Sequence, residues 1–345
     1  MSNKLLMRAI QGNAKILNLN GKKLKEVPNA VERLSALVSL QLKNNIISKL
    51  PNEMATLRNL TELNLGNNMF EDFPEVFVHM TSLRILHLFG NKIERISPAV
   101  LGGLENLTLL NLNNNQLTSL PQEISRLKNL AHLSVNNNYL ESVPDEICLL
   151  TRLTELHMTN NQLTVLPRSI GLLTNLRKLY LSRNQIYELP EELCKLRHLT
   201  ILDVAGNKIR IFPSDTDELY LHELYSEDNP LLQKHLIMAV EEEEVLPLLE
   251  ITARFISKEL KNRWSSLRMA IMQHPEARKL LAQGKKCAVC SEYFLNTWLE
   301  CVKFINVKKE LKITCQLKFL PVKVFLCSYK CFNQSGHEYY GVAVP

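Results

Sequence analysis

Several features are scarce in this 345-residue chain, and each scarcity narrows what the protein can be. No stretch approaches the roughly 18 consecutive apolar residues of a membrane-spanning helix, so no membrane role is expected. The opening residues, Met1-Ser-Asn-Lys-Leu-Leu-Met-Arg-Ala-Ile10, are too polar and their apolar run too short for a secretory signal. Glycine is sparse, at 11 residues, and no glycine-rich loop that could cradle a phosphate is present. No nucleophile stands beside a general base in a spacing that suggests catalysis, so the expectation is a non-enzymatic protein. Cysteine is absent before Cys148, and six of the eight cysteines fall after residue 285.

What the chain has in abundance is leucine at a fixed interval. The unit L-x-x-L-x-L-x-x-N-x-L-x-x-L-P is clearest at Leu60, Leu63, Leu65, Asn68, Phe70, Phe73 and Pro74. Its frame opens at Ala14, Leu37, Leu60, Leu83, Leu107, Leu130, Leu153, Leu176, Leu199 and Leu221, a step of 23 interrupted once by 24 and once by 22. A unit this small cannot bury its own apolar side; stacked units can, by setting leucine on leucine. The L-x-L pair predicts a short strand with both leucines inward, so neighbouring units build a parallel sheet. The turn that follows strands backbone polar groups, and an inward amide can satisfy them because it both donates and accepts. Asn45, Asn68, Asn91, Asn115, Asn138, Asn161, Asn184, Asn207 and Asn229 form that ladder, with Lys22 in the slot of the first unit. The Leu-Pro steps after it predict a return with short helical pieces only. Cys148 and Cys194 share one slot and read as small core fillers.

This pattern resembles the intracellular leucine-rich repeat class. The resemblance covers residues 14–231 and implies an α/β fold, a leucine-rich repeat solenoid of ten coils with a parallel concave sheet. Secreted members close the array with disulfide-bonded cysteines, which are lacking at the start of this one; the cytoplasm, or the nucleus, is therefore expected. If the fourth and sixth places of each unit point inward, the third, fifth and seventh face solvent, and the eighth begins the turn. On that concave face the first three coils carry small polar and amide groups. From the fourth coil the face turns aromatic and charged: Ile85, His87 and Phe89, then His132, Glu155, His157, Lys178, Tyr180 and Arg183, with Asp203 and Tyr225 further on. Aromatics flanked by charges are the composition of binding hot spots, so a protein partner is expected there. The histidines read as solvated sheet residues and not as metal ligands.

Three segments are expected: residues 1–231 as the solenoid with an N-terminal cap, 232–284 as a helical connector, and 285–345 as a small cysteine-rich module. The connector holds a Glu241–Glu244 run, which reads as a solvated helix face. Pro247 can open a helix, and Leu248, Thr252 and Ile256 fall on one face of it. Pro247, Leu248, Thr252 and Ile256 resemble the elongin-binding box of substrate receptors for cullin ubiquitin ligases. The resemblance implies an elongin–cullin partner, with Leu248 inserted in an apolar elongin pocket. No cullin-selecting box with a Leu-Pro core follows between Lys258 and Gln283. The alternative is a plain capping helix over the open end of the leucine core.

In the last segment, Cys287-Ala-Val-Cys290 and Cys327-Ser-Tyr-Lys-Cys331 are paired-ligand knuckles separated by 36 residues. Two such knuckles complete a tetrahedral four-thiolate site, and apolar stretches at Thr297–Phe304 and Leu317–Leu326 read as strands between them. The build is zinc-ribbon-like, and a structural zinc ion is the expected cofactor. Cys301 and Cys315 read as packed thiols, with replacement of a ligand by either as the alternative, and His337 is a weaker ligand candidate. Nine lysines and three glutamates between Lys285 and Cys331 account for a charge equal to the whole chain's net +6. That basic module invites nucleic acid, but a metal–thiolate centre also needs cations nearby, and the interleaved aromatics of a nucleic-acid reader are few. The expected function is a protein–protein adaptor, in its most concrete form a substrate receptor of an elongin–cullin ligase. The alternative is a signal-transduction scaffold that binds a small GTPase or its regulators through the repeats.

Overall fold

In a computed structural model, residues 2–233, 246–262, 265–296, 298–313, 317–334 and 336–341 are described. The Glu241–Glu244 run, Thr297 and Cys315 lie outside them. Contacts divide the chain into two compact units, one holding the repeats and one holding most of residues 231–341, joined in the latter by Ile211–Asp217.

The repeat unit starts with α1 (Ser2–Gln11), which buries Leu6 and Ala9. Ten three-residue strands follow in chain order: β1 (Ile16–Asn18), β2 (Ser39–Gln41), β3 (Glu62–Asn64), β4 (Ile85–His87), β5 (Leu109–Asn111), β6 (His132–Ser134), β7 (Glu155–His157), β8 (Lys178–Tyr180), β9 (Ile201–Asp203) and β10 (Glu223–Tyr225). They form one parallel sheet in which each strand pairs only with its sequence neighbours. The register repeats the sequence period, so Leu133 faces Leu156 and Leu156 faces Leu179. The middle residue of every strand is buried, and from β3 to β9 its two neighbours are half-exposed. The Leu-Pro steps open single 3-10 turns of five or six residues, such as Gln122–Arg126 and Arg168–Leu172. Proline at these starts fixes φ and gives up an N–H that a helix start leaves unbonded anyway. Cys148 and Cys194 are buried in these turns.

The asparagine ladder is what joins coil to coil. Asn138 donates from Nδ2 to Leu112 O at 3.0 Å and to Val135 O at 3.0 Å, and its Oδ1 accepts from Leu117 N–H at 3.0 Å. Two of those partners belong to the preceding coil, so a single buried amide closes its own turn and pins the one before it. The same pattern recurs at Asn45, Asn68, Asn91, Asn115, Asn161, Asn184 and Asn207, all buried. At the outer end Lys22, which has no amide to offer, supplies its backbone N–H to Asn45 Oδ1. The place before each ladder residue holds left-handed backbone, φ 53–60° at Asn44, Asn67, Asn114, Asn137 and Asn160, and glycine at Gly90 and Gly206. These are the residue types that enter this region at least cost.

The second unit contains α2 (Leu248–Glu259), α3 (Ser266–Met272) and α4 (Pro275–Leu281). After them come a hairpin of β11 (Lys285–Lys286) with β12 (Tyr293–Phe294) and a three-stranded antiparallel sheet of β13 (Leu299–Asn306), β14 (Phe319–Leu326) and β15 (Tyr340–Gly341). The short α5 (Tyr329–Phe332) follows β14. Phe212 pairs with this sheet: its N–H donates to Pro321 O at 2.9 Å, and its carbonyl accepts from Lys323 N–H at 2.9 Å. Phe294, Val324, Phe325 and Leu326 make a small apolar core with Cys287, Cys301, Cys327 and Cys331.

Replacing Asn138 by alanine removes one of two amide donors from the buried carbonyls of Leu112 and Val135, which keep Asn115 and Asn161, and takes the partner from the buried Leu117 N–H. The expected loss is about 1–3 kcal/mol, from the cost of leaving that donor unsatisfied. Asn129→Ala, which removes two exposed bonds, to Glu105 O and from Arg152, is expected to cost less than about 1 kcal/mol. Denaturant unfolding of both variants checks this; equal losses would show that the ladder has no special weight.

Candidate functional site

Two places carry chemistry that the solenoid and the small core do not need for packing. The first is the sheet face from β4 to β10. Glu155 is its hub. Lys178 Nζ lies 2.9 Å from Glu155 Oε1, His157 Nε2 is 3.3 Å from Oε2, and His132 Nδ1 is 3.6 Å from Oε2. These residues meet because β6, β7 and β8 run in register, placing the same position of successive repeats side by side. Burial works to raise the Glu155 carboxyl, but hydrogen bonds from Lys178 and His157 outweigh it and hold the group below the usual carboxylate range. Burial pulls His157 below the ordinary imidazole value despite Glu155. Nε2, facing an oxygen that only accepts, is then the protonated nitrogen of a neutral ring. The His157 ring stacks on Tyr180 at 4.5 Å, and Tyr225 donates to Glu223 at 2.7 Å.

Toward the earlier coils, His87 and Phe89 meet edge to face at 6.2 Å, and Lys43 lies 5.1 Å from the Phe89 ring centre. Gly66 is the seat for that ring, since a Cβ there would collide with Phe89. Ile85 stands half-exposed beside them. A chain of polar groups along the seventh place, ending on Asp203 at the fifth place of its unit, has no counterpart in the residue-type reading. Asn113 accepts from Asn136 N–H and Asn136 from Thr159 N–H, each at 2.7 Å; Thr159 meets Ser182, and Ser182 donates to Asp203 at 2.7 Å. The chemically different residues Asn, Asn, Thr, Ser and Asp share one job there, which conceals it from a motif. Arg183 occupies the left-handed position with φ 55°, where most other coils have asparagine or glycine.

The second place is the cysteine cluster. The Sγ atoms of Cys287, Cys290, Cys327 and Cys331 all lie within 4.8 Å of one another. Cys327 Sγ is 3.5 Å from both Cys290 Sγ and Cys331 Sγ. A disulfide would need about 2.05 Å. Four sulfurs about 2.3 Å from a central ion would stand about 3.8 Å apart. The four thiols therefore fit a tetrahedral metal ion. One knuckle is a turn closed by Ser291 N–H to Cys287 O at 2.9 Å, and the other is the start of α5, capped by Ser328. Burial acts against the Cys287 thiolate, but surrounding backbone N–H groups outweigh it and bring that thiol down to about 7. Burial pushes the buried Cys301 thiol up to about 12, and it stands outside the cluster. His337 also stands outside it, with Nε2 2.7 Å from Phe332 O.

Glu250 supports this cluster, and its role is invisible in the sequence pattern. It is fully buried on α2, where a carboxylate would read as part of the solvated face. It accepts from Leu295 N–H at 3.0 Å, from Asn296 N–H at 2.5 Å and from Arg254 Nε at 2.5 Å. Arg254 in turn donates to the carbonyl of Cys327 at 3.0 Å. The opposite face of α2 is open: Leu248 is 78% exposed, with Leu249, Ile251 and Phe255 exposed and Ile256 half-buried. Pro247 caps the helix, and Thr252 returns its hydroxyl to Leu248 O at 2.7 Å.

Family models match along the array: "Leucine rich repeat" at residues 35–93, "Leucine-rich repeat region" at 83–181 and "Leucine Rich repeats (2 copies)" at 174–220. Over 344 residues, 100% of both chains, the sequence is 62% identical to leucine-rich repeat-containing protein 69 of Xenopus laevis. The chain belongs to the leucine-rich repeat family. The human protein of the same description is 48% identical over 36% of this chain and 35% of its own. A leucine-rich repeat protein of Leptospira interrogans superposes with a TM-score of 0.59 at 32% identity, covering 67% of this chain and 65% of that one. Leucine-rich repeat arrays typically serve as protein-interaction scaffolds, and this chain is one. Among the described residues no helix is long and apolar enough to cross a membrane.

Two outcomes follow from the cysteine geometry. Cys327→Ser is expected to abolish the binding of one cobalt ion per chain, read from its thiolate absorption, while Cys301→Ala leaves it intact; equal retention in both would remove these thiols as ligands. Glu250, held below its unfolded value, stabilises its unit fully above the unfolded pKa of about 4.3, and that contribution fades as pH falls toward the folded value. Glu250→Gln is expected to cost about 3 kcal/mol at neutral pH by removing the buried charge partner of Arg254, and to flatten the acid limb of the melting curve. An acid limb as steep as the wild type's would refute this.

Proposed function

We propose that the chain is an adaptor whose sheet face from β4 to β10 holds a protein partner and whose four thiols hold a structural zinc ion. The observation that carries the first half is the Glu155 cluster. A carboxylate tied to Lys178, two imidazoles and, through His157, the ring of Tyr180 is pre-organised at the centre of a half-exposed face. Rigid aromatic surface flanked by charge is the composition of hot spots. Ile85, His87 and Phe89 offer an apolar contact at one end, and Asp203 and Tyr225 a polar one at the other. Arg183 adds support: a bulky residue in left-handed backbone costs about 1–2 kcal/mol, a cost that binding would explain and folding does not.

Zinc is assigned from the donor set. Four thiolates in tetrahedral reach are a closed structural site, with no position left for substrate. The ion would supply cross-linking and charge; Arg254 holds the Cys327 carbonyl beside it, and the lysines of the module would balance its negative charge. Seven described cysteines are free thiols, which fits a reducing compartment, cytoplasmic or nuclear.

The open face of α2 favours the finer reading, a substrate receptor of an elongin–cullin ubiquitin ligase. Pro247, Leu248, Thr252 and Ile256 would dock elongin, Leu248 foremost. A signalling scaffold for a small GTPase would need the repeats alone. Affinity purification of wild type, Tyr180→Ala, Arg183→Asn and Leu248→Asp separates these readings. Arg183→Asn is expected to raise stability by about 0.5–1 kcal/mol by relieving backbone strain, and to lose the repeat-bound partner together with Tyr180→Ala. Leu248→Asp is expected to lose elongin and cullin alone. Retention of every partner by Tyr180→Ala and Arg183→Asn would end the proposal for the sheet face, and absence of elongin from wild type would end the ligase reading.

A further inference from the structure

The second unit holds a cleft of about 730 Å³ that neither the metal centre nor the open face of α2 uses. Leu260, just beyond α2, Ile271 of α3 and Leu281 of α4 give it apolar walls, and Arg268, Arg278 and Lys279 also line it. No Asp or Glu is among its lining residues. Several other cations of this unit reach a carboxylate: Arg254 meets Glu250, Lys261 meets Glu292 and Lys303 meets Asp217. The three that line the cleft form no ion pair among the described residues.

The helices around the cleft are incompletely covered. Neither α3 nor α4 buries a single side chain fully, and Met269 and Met272 are 71% and 60% exposed. Two helices of seven residues each do not hold themselves together in water, so apolar surface left open on both asks for a cover. One wall is already fixed: the Tyr293 hydroxyl donates to the Leu281 carbonyl at the end of α4, and Gly284 lies where any side chain would strike the Tyr293 ring.

We propose that this cleft binds an acidic amphipathic segment of a partner protein, its apolar side chains on Leu260, Ile271 and Leu281 and its carboxylates on Arg268, Arg278 and Lys279. Charge complementarity selects the occupant. Three unpaired cations around an apolar floor leave a neutral or basic segment unmatched. The volume is that of a pocket admitting a few side chains of a peptide, and the three cations that line it are exposed to such a partner. Exposed methionines adapt to an apolar helix face laid against them.

The probe is a fluorescein-labelled peptide repeating Glu-Leu-Leu-Glu, with a Lys-Leu-Leu-Lys peptide as control, titrated against the full chain by anisotropy. The acidic peptide is expected to bind and to weaken with salt, and the basic one to fail. The combined variant Arg268→Ser, Arg278→Ser, Lys279→Ser is expected to lose about tenfold or more in affinity, with melting and cobalt binding unchanged. Tyr180→Ala, on the sheet face, is expected to bind the peptide as wild type does. No binding of the acidic peptide, equal binding of both peptides, or binding that survives the combined variant overturns the proposal. So does capture by phosphatidylserine vesicles that the same variant abolishes while peptide binding persists, since the cations would then serve a lipid surface.

Discussion

A buried amide per coil is the constraint on which the repeat unit rests. Leucine stacking supplies the driving force, but it does not fix where one coil sits on the next. The asparagine does, because its Nδ2 and Oδ1 reach a carbonyl and an N–H of the preceding coil at hydrogen-bond distance. Burial makes that bond set obligatory, since the groups have no water to turn to. Register in the parallel sheet then follows, and with it the side-by-side placement of every exposed position.

That placement generates the partner face. Glu155, His132 and Lys178 occupy one position of three successive repeats, and His157 and Tyr180 another of two. A stack of identical backbones converts distances of 23 residues along the chain into neighbours one strand apart. The solenoid thus spends almost no sequence on building the face, and the residues on it are free to vary. Function in such a fold resides in what is displayed and not in the coil that displays it.

The second unit solves its stability problem differently. Its apolar core is small, and four of its core residues are the cysteines at 287, 301, 327 and 331. Four converging thiols that fit a metal ion, and a buried ion pair, stand in place of the leucine stack. Glu250 and Arg254 tie α2 to the β12 end and to the Cys327 carbonyl, so the helix and the knuckle share one polar network. The cost of burying Glu250 is met by three donors, a guanidinium and two backbone N–H groups, which is why the charge persists there.

Periodicity alone determined the ten coils, the inward leucines, the asparagine ladder and the 3-10 returns, because each is a local consequence of a repeated spacing. The paired-cysteine spacing likewise determined which four thiols converge, since a tight turn brings each pair together whatever surrounds it. Tertiary structure decided the rest. It buried Glu250, a carboxylate that no pattern in the sequence marks as buried, because the N–H groups that hold it lie 45 and 46 residues away. It linked Asn113, Asn136, Thr159, Ser182 and Asp203 into one polar line, though their side chains differ. It left Arg268, Arg278 and Lys279 around an apolar cleft without a carboxylate on its walls. Spacing specifies what neighbours along the chain can do together; only the folded chain specifies which distant groups satisfy, or fail to satisfy, one another.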